Sequence, residues 1–93
     1  MYVYVATKHG NEEKAFPTMP KAINYNMSQE DMVFCDVKSY EIQGKLCQIT
    51  GDEVTEWNDI FEAAEKLGIE ALEILRCLRG KKDKAGGFEW RLK

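Results

Sequence analysis

The sequence contains few of the residues from which disulfide frameworks and metal centres are built. Among its 93 residues there are three cysteines and one histidine. Cys35, Cys47 and Cys77 are odd in number and far apart, and none belongs to a Cys-x-x-Cys pair. This pattern argues against both a disulfide framework and a zinc site. We therefore expect three reduced thiols, no bound metal and no other cofactor.

Motifs for catalysis are also missing. His9 is the only imidazole, and it lies in a predicted turn without a recognisable acid, thiol or metal-ligand partner. A cysteine nucleophile would need such an imidazole as its base. Gly80 and Gly86-Gly87 lack the spacing and the strand-to-helix context of a phosphate-binding loop. The sequence thus predicts a protein that is not an enzyme.

No long apolar run is present either. The longest apolar opening, residues 1–6, has no basic leader and is far too short for a signal peptide or a membrane span. We expect a soluble intracellular protein that makes no contact with a membrane. Its predicted location is the cytoplasm, which would be that of the host cell if a phage encodes the protein.

What the sequence does contain is an ordinary globular composition, with 44% hydrophobic and 31% charged residues. A chain this short forms one domain, which we assign to residues 1–93. Its pattern divides into a β-rich part with a short helix at residues 1–50 and a helix-turn-helix-like part with a terminal strand at residues 53–92. The predicted fold class is α+β, with a small antiparallel sheet.

The β-rich part begins with a predicted hairpin and a helix. Aromatic and β-branched residues at 2–7 predict a strand, and a turn at 9–11 returns the chain through a second strand at 13–16. Thr18 is placed to cap a short helix over residues 21–27, which would cover one face of the sheet. The predicted inner face of this helix comprises Ala22, Ile23 and Met27.

A second, central hairpin is predicted from residues 32–42 and 45–50, with its turn at Gln43-Gly44. Upstream, Val33, Cys35 and Val37 are apolar in the opposite phase, which indicates either a bulge near Asp36 or a segment covered on both sides. The register of a two-residue turn predicts one apolar face, made of Tyr40, Ile42, Cys47 and Ile49.

After residue 52 the hydrophobic period changes from two to 3.6. The first predicted helix, residues 53–67, would be capped by Asp52 or Thr50 and ended by Gly68. A second helix over residues 69–79 completes a helix-turn-helix-like pair. The apolar stripe of the first helix comprises Val54, Trp57, Ile60, Phe61, Ala64 and Leu67. The alternating residues of the terminal strand are Phe88, Trp90 and Leu92.

Positive charge is scarce until the last fifth of the chain. Residues 1–75 contain 6 lysines and 14 acidic residues, a formal charge of −8, whereas residues 76–93 contain 7 basic and 2 acidic residues, a formal charge of +5. A basic cluster of this kind suits phosphate, although such residues also balance helix dipoles or are simply solvated. The candidate phosphate-binding residues are Arg76, Arg79, Lys81, Lys82, Lys84 and Arg91.

The last third contains several short motifs at fixed distances from one another: Ala63-Ala64, Leu67-Gly68-Ile69, Ile74, Cys77, Gly80-Lys81-Lys82 and Ala85-Gly86-Gly87-Phe88-Glu89-Trp90-Arg91. Together they resemble the nuclease-associated modular DNA-binding domain of the first type, over residues 58–92. This helix-turn-helix-like module occurs behind the catalytic domains of homing endonucleases and in phage proteins. The resemblance implies a nucleic-acid-associated protein of a phage or mobile element.

Three functions remain open. In the leading hypothesis, a small non-catalytic protein binds nucleic-acid phosphates through the basic C-terminal segment. In the second, a phage counter-defence or inhibitor protein binds a basic host protein through its acidic surface. In the third, the basic segment and Trp90 hold a small nucleotide. Pairing of exposed sheet edges would also make a homo-oligomer. The acidic candidates are Glu12, Glu13, Glu30, Asp31, Glu53, Glu56, Asp59, Glu62, Glu65, Glu70 and Glu73.

Overall fold

The computed structural model describes residues 1–30 and 34–93, and within them the α+β fold class is confirmed. The described elements fall into two compact units, Met1–Ile42 and Gln43–Lys93. Their order is β1 (Tyr2–Lys8), β2 (Asn11–Phe16), α1 (Met19–Met27), β3 (Cys35–Glu41), β4 (Leu46–Thr50), β5 (Glu53–Trp57), α2 (Ile60–Leu67), α3 (Ala71–Leu78) and β6 (Glu89–Leu92).

The first unit is an antiparallel sheet with strand order β2-β1-β3. β1 is central because it pairs with both β2 and β3, and its Val3 and Val5 side chains are fully buried, as expected for an alternating apolar strand. The predicted first hairpin is confirmed, with β2 longer by two residues than expected. At the start of β1, the amino group of Met1 donates to the carbonyl oxygen of Ile42 at 3.2 Å.

Helix α1 is confirmed, but its predicted inner face is wrong in part. The hydroxyl of Thr18 caps it by accepting from the backbone N–H of Lys21. Ala22 is buried as expected, whereas Ile23 and Met27 are 43% and 60% exposed. The second inward residue is Asn26, whose amide donates to the carbonyl oxygen of Asp36 at 2.9 Å. A hydrogen bond to an edge strand therefore decides the orientation of this helix, which hydrophobicity alone did not predict.

The predicted central hairpin is wrong. β3 pairs with β1 from Lys8↔Cys35 to Tyr2↔Glu41, and β4 pairs instead with β5 and β6. The unbroken β1–β3 register also excludes a bulge at Asp36. Because a seven-residue strand was available as a partner, long-range pairing prevailed over the short turn at Gln43-Gly44. Met32 and Val33, the predicted start of this strand, lie outside the described residues.

The second unit is an antiparallel sheet with strand order β5-β4-β6. The terminal strand predicted at the end of the chain is confirmed as β6, and its Arg91 lies opposite Cys47 of β4. Gln48 on the same central strand is buried, and its side-chain oxygen accepts from the indole N–H of Trp57 at 2.9 Å. β4 thus connects both edge strands and supplies a buried polar contact within the unit.

The first helix of the predicted pair begins seven residues later than expected. Residues 53–57 form strand β5, and α2 starts at Ile60. Its cap is Asp59 rather than Asp52 or Thr50, since Asp59 Oδ1 accepts from the backbone N–H of Glu62 at 2.8 Å. The end is as predicted, with Gly68 in the left-handed conformation at φ 69°. Asp59 and Glu62 have the spacing of a capping box, a signal that was present in the sequence.

α3 follows within three residues of α2 and packs against both α2 and β6. Ile74 and Leu75 are at most 1% exposed, and Trp90 of β6 is 4% exposed. The indole N–H of Trp90 donates to the carbonyl oxygen of Ala85 at 3.0 Å. Gly86 is needed in the intervening turn, because a Cβ there would lie 2.8 Å from the Ile69 side chain. The helix pair and terminal strand therefore share one core.

The cap of α2 allows a direct test of where this helix begins. We expect Asp59→Ala to lower the free energy of unfolding by about 1 kcal/mol, because it removes the acceptor of an otherwise unsatisfied helical N–H. Asp52→Ala removes the same charge from the turn before β5 and should change stability by less than about 0.5 kcal/mol. Urea denaturation measures both. Equal losses would contradict the observed helix start.

Candidate phosphate-binding surface

The C-terminal end of α3 positions the first of the predicted basic residues. The backbone N–H of Lys81 donates to the carbonyl oxygen of Arg76 at 2.9 Å, and that of Gly80 donates to Cys77 at 3.1 Å. These two bonds, with Gly80 at φ 75°, form the Schellman ending typical of helices. Arg76 and the C-cap residue Arg79 are half-buried at this end. Their positive charges interact favourably with the negative end of the helix dipole.

Glu73 brings two of the predicted residues together. Its Oε1 accepts from Arg76 Nη1 at 3.0 Å, and its Oε2 accepts from the ammonium group of Lys82. The hydrogen bond from Lys82 is the main cause that lowers the pKa of the Glu73 carboxyl, with further lowering by Arg76 and opposition from burial. The carboxylate is therefore the stable form of Glu73, and it offsets part of the local positive charge.

Two further lysines of the loop, Lys81 and Lys84, differ from Lys82 in their ion pairing. Lys81 and Lys84 are exposed in the segment that follows α3. In the part of the chain that the structure describes, neither ammonium group takes part in an ion pair. Residues 73–84 hold five basic and two acidic residues, so this end of the unit keeps a net positive charge. Both lysines are free to bind an anion from solution.

Arg91 comes to the same place from a different element. It lies on β6 and borders a pocket of about 390 Å³. The pocket is lined by Cys77, Leu78, Gly80, Trp90, Arg91 and Leu92. The loop residue Gly80 and the strand residue Arg91 therefore face a common depression. Four of the predicted basic residues therefore lie at the end of α3 or directly after it, namely Arg76, Arg79, Lys81 and Lys82. Arg91 also borders a second pocket with Cys47 and Glu56. Lys84 borders a different pocket, with Thr50, Gly51 and Glu89.

Cys77 borders the same pocket as Arg91 and was not predicted as part of this surface. Burial raises the pKa of its thiol, while the positive charge of Lys82 acts to lower it and Glu73 and Asp83 act to raise it. The thiol is half-buried and unpaired with another cysteine. Its position, one turn beyond Glu73 on the helix, was readable from the sequence. Its closeness to Lys82 and Arg91 required the folded loop and strand.

Trp90 does not contribute an aromatic face to this surface. Its indole is in the core and its N–H is already bonded to Ala85. A ring in that position stabilises the fold and leaves no room for a stacked base. Among residues 1–30 and 34–93 there is likewise no group of three or more potential metal ligands.

Five of the eleven acidic candidates lie on or beside β5 and α2, and residues 52–65 as a whole contain six acidic and no basic residues. Several of these carboxylates have structural contacts. Asp59 caps α2, Glu62 accepts from the side chain of Asn58 at 3.1 Å, and Glu56 pairs with Lys93 at 3.3 Å. Glu53 and Glu65 are exposed. The remaining acidic candidate Asp31 lies outside the described residues.

Comparison of the chain with known protein families, with curated proteins and with solved structures found no match. The resemblance to the nuclease-associated module therefore stays a prediction. None of the helices in the described ranges has the length and apolar character that crossing a membrane requires.

The pKa of Cys77 gives a measurable signature of the surface. We expect alkylation of this thiol by iodoacetamide to reach half its maximal rate at a higher pH in the native protein than in the urea-unfolded chain, because burial disfavours the thiolate. Lys82→Gln should move the midpoint higher still, since it removes a stabilising positive charge. Peptide mass spectrometry across a pH series separates Cys77 from the other two cysteines. Equal midpoints in the folded and unfolded protein would contradict a raised pKa of the Cys77 thiol.

Proposed function

We propose that the protein binds the phosphate backbone of nucleic acid through the end of α3, the loop after it and Arg91. The observation that carries this proposal is the meeting of Arg76, from α3, with Lys82, from the loop after it, around one carboxylate. Arg91 of β6 borders a pocket with Gly80 of the same loop. Basic residues that come from separate elements and meet on one face form the kind of electrostatic surface that phosphates bind.

The arrangement favours contact with phosphates over reading of bases. Glu70 and Glu73 lie at the start of α3, the end that a helix-turn-helix protein would place in the major groove. Carboxylates at that end would be repelled by phosphate. Glu73 is already paired with Arg76 and Lys82, whereas Glu70 is exposed, and Arg79 and Lys81 follow at the opposite end of the helix. We therefore expect binding that depends on salt and little on sequence.

Binding should depend on the lysines that have no internal partner. We expect Lys81→Glu with Lys84→Glu to weaken binding of a short DNA duplex at least about tenfold at low salt, and to reduce the slope of log affinity against log salt by about 2, close to 0.9 for each lost phosphate contact. Fluorescence anisotropy over a salt series measures both quantities. Neither substitution breaks an ion pair of the described structure.

The matched control is Lys21→Glu with Lys38→Glu, which makes the same change of charge at exposed positions of the first unit. It should weaken binding much less, through long-range repulsion only. If the two double variants lose equal affinity, general charge and not this surface governs binding. If the unaltered protein fails to bind duplex or single-stranded nucleic acid at low salt, the proposal is wrong.

A second candidate function, binding of a basic protein, is favoured by the acidic segment at residues 52–65. We expect Glu53→Lys with Glu65→Lys to abolish capture of such a partner from a nuclease-treated lysate, and Glu13→Lys with Glu30→Lys in the first unit to leave it intact. All four positions are exposed. Pull-down with quantitative mass spectrometry makes the comparison. Capture that both pairs of substitutions reduce equally would count against a specific acidic surface.

A further inference from the structure

One carboxylate holds two cations of the proposed phosphate surface. The two oxygens of Glu73 are divided between Arg76, one turn further along α3, and Lys82, which returns from the loop beyond Gly80. Such convergence of a guanidinium and an ammonium group from different elements on a single small anion is unlike an ordinary helix pair. The spacing of Glu73 and Arg76 alone would form an i,i+3 pair, and Lys82 adds a second donor from outside the helix.

The same two donors are what a phosphate group needs. Guanidinium and ammonium groups bind carboxylate and phosphate oxygens by the same charged hydrogen bonds. The Glu73 carboxylate therefore lies where the oxygens of a bound phosphate would lie. Arg76 and Lys82 are already held in a geometry that surrounds one anion, so little reorganisation is required for an external anion to take its place.

The internal contact is also accessible to exchange. The side chains of Lys82, Arg76 and Glu73 are 46%, 33% and 29% exposed. Ion pairs with this degree of exposure are screened by solvent and contribute little to stability. A nucleic-acid backbone presents several phosphates at once and gains from the release of counterions, which a single carboxylate does not. A nucleic-acid backbone therefore binds Arg76 and Lys82 more favourably than the Glu73 carboxylate does.

We propose that Arg76 and Lys82 form a phosphate subsite that Glu73 fills in the free protein and that a backbone phosphate of nucleic acid takes over on binding. This inference rests on the proposed function and deepens it. Glu73 is then an internal competitor that limits the affinity of the surface. Because the single charge of Glu73 neutralises one of the two positive charges before binding, the subsite also releases fewer counterions when a phosphate arrives.

Glu73→Gln should release the subsite. We expect it to tighten binding of a short DNA duplex by about fivefold or more at low salt, the range of an ordinary coupling between two ligands. The slope of log affinity against log salt should steepen by up to about 1, because one net positive charge is freed. Glu70→Gln is the matched control. It removes the same charge three residues before Glu73, and the Glu70 carboxylate takes part in no ion pair within the described ranges. Its effect should be smaller.

A second substitution identifies the donor. Lys82→Gln should weaken binding only slightly when Glu73 is present, because the lysine must first be freed from it. In combination with Glu73→Gln, the same substitution should abolish most of the gained affinity. This non-additivity is not expected if Glu73 acts only by general repulsion. Circular dichroism melting of each variant verifies that α3 is intact, since Glu73 also lies in the first turn of this helix.

The outcomes separate this inference from the proposed function when pyrophosphate is titrated beside the DNA. If the unaltered protein binds DNA and Glu73→Gln only matches Glu70→Gln, or binds more weakly, the competitor role is wrong and the proposed function stands. If only Glu73→Gln binds DNA, the subsite is supported and binding by the unaltered protein is wrong. If neither the unaltered protein nor Glu73→Gln binds DNA or pyrophosphate, both are wrong.

Discussion

The antiparallel pairing of β6 with β4 is the contact on which the candidate surface depends. β4 is the central strand of its sheet, and β6 contains the last residues of the chain before Lys93. This pairing places Trp90 in the core against α3 and fixes Arg91 opposite Cys47. Without it, the basic residues after α3 would be a charged tail with no defined position. Burial of one aromatic side chain thus organises a polar surface.

Charge in this protein is divided between structural and available groups. Asp59 caps a helix, Glu56 pairs with Lys93, and Glu73 holds both Arg76 and Lys82. The net charge of −3 therefore describes neither the acidic segment of β5 and α2 nor the basic end of α3. Because an exposed ion pair contributes little to stability, the pairs at Glu73 add little to the stability of the fold.

Prediction from the sequence is correct where local signals and the final structure agree. The first hairpin, the Thr18 cap, the Gly68 helix ending and the terminal strand were all readable from short-range chemistry. It failed at residues 53–57, because Val54 and Trp57 fit a helical stripe and a short strand equally well. The Trp57 indole is satisfied by Gln48 across the sheet, a partner that no local pattern reveals. The prediction of the central hairpin was wrong for the same reason, since long-range contacts determine which strands pair.

The sequence by itself determined the α+β class, the segregation of acidic and basic residues and the identity of the six basic candidates. These properties follow from composition, periodicity and order along the chain, which do not depend on which strands meet. Only the tertiary structure decided that Arg91 reaches the end of α3 and that Lys82 folds back to Glu73. Both depend on the return of the last strand and of the loop before it. Their positions result from burying Trp90 and satisfying the sheet's hydrogen bonds, which are properties of the folded chain as a whole.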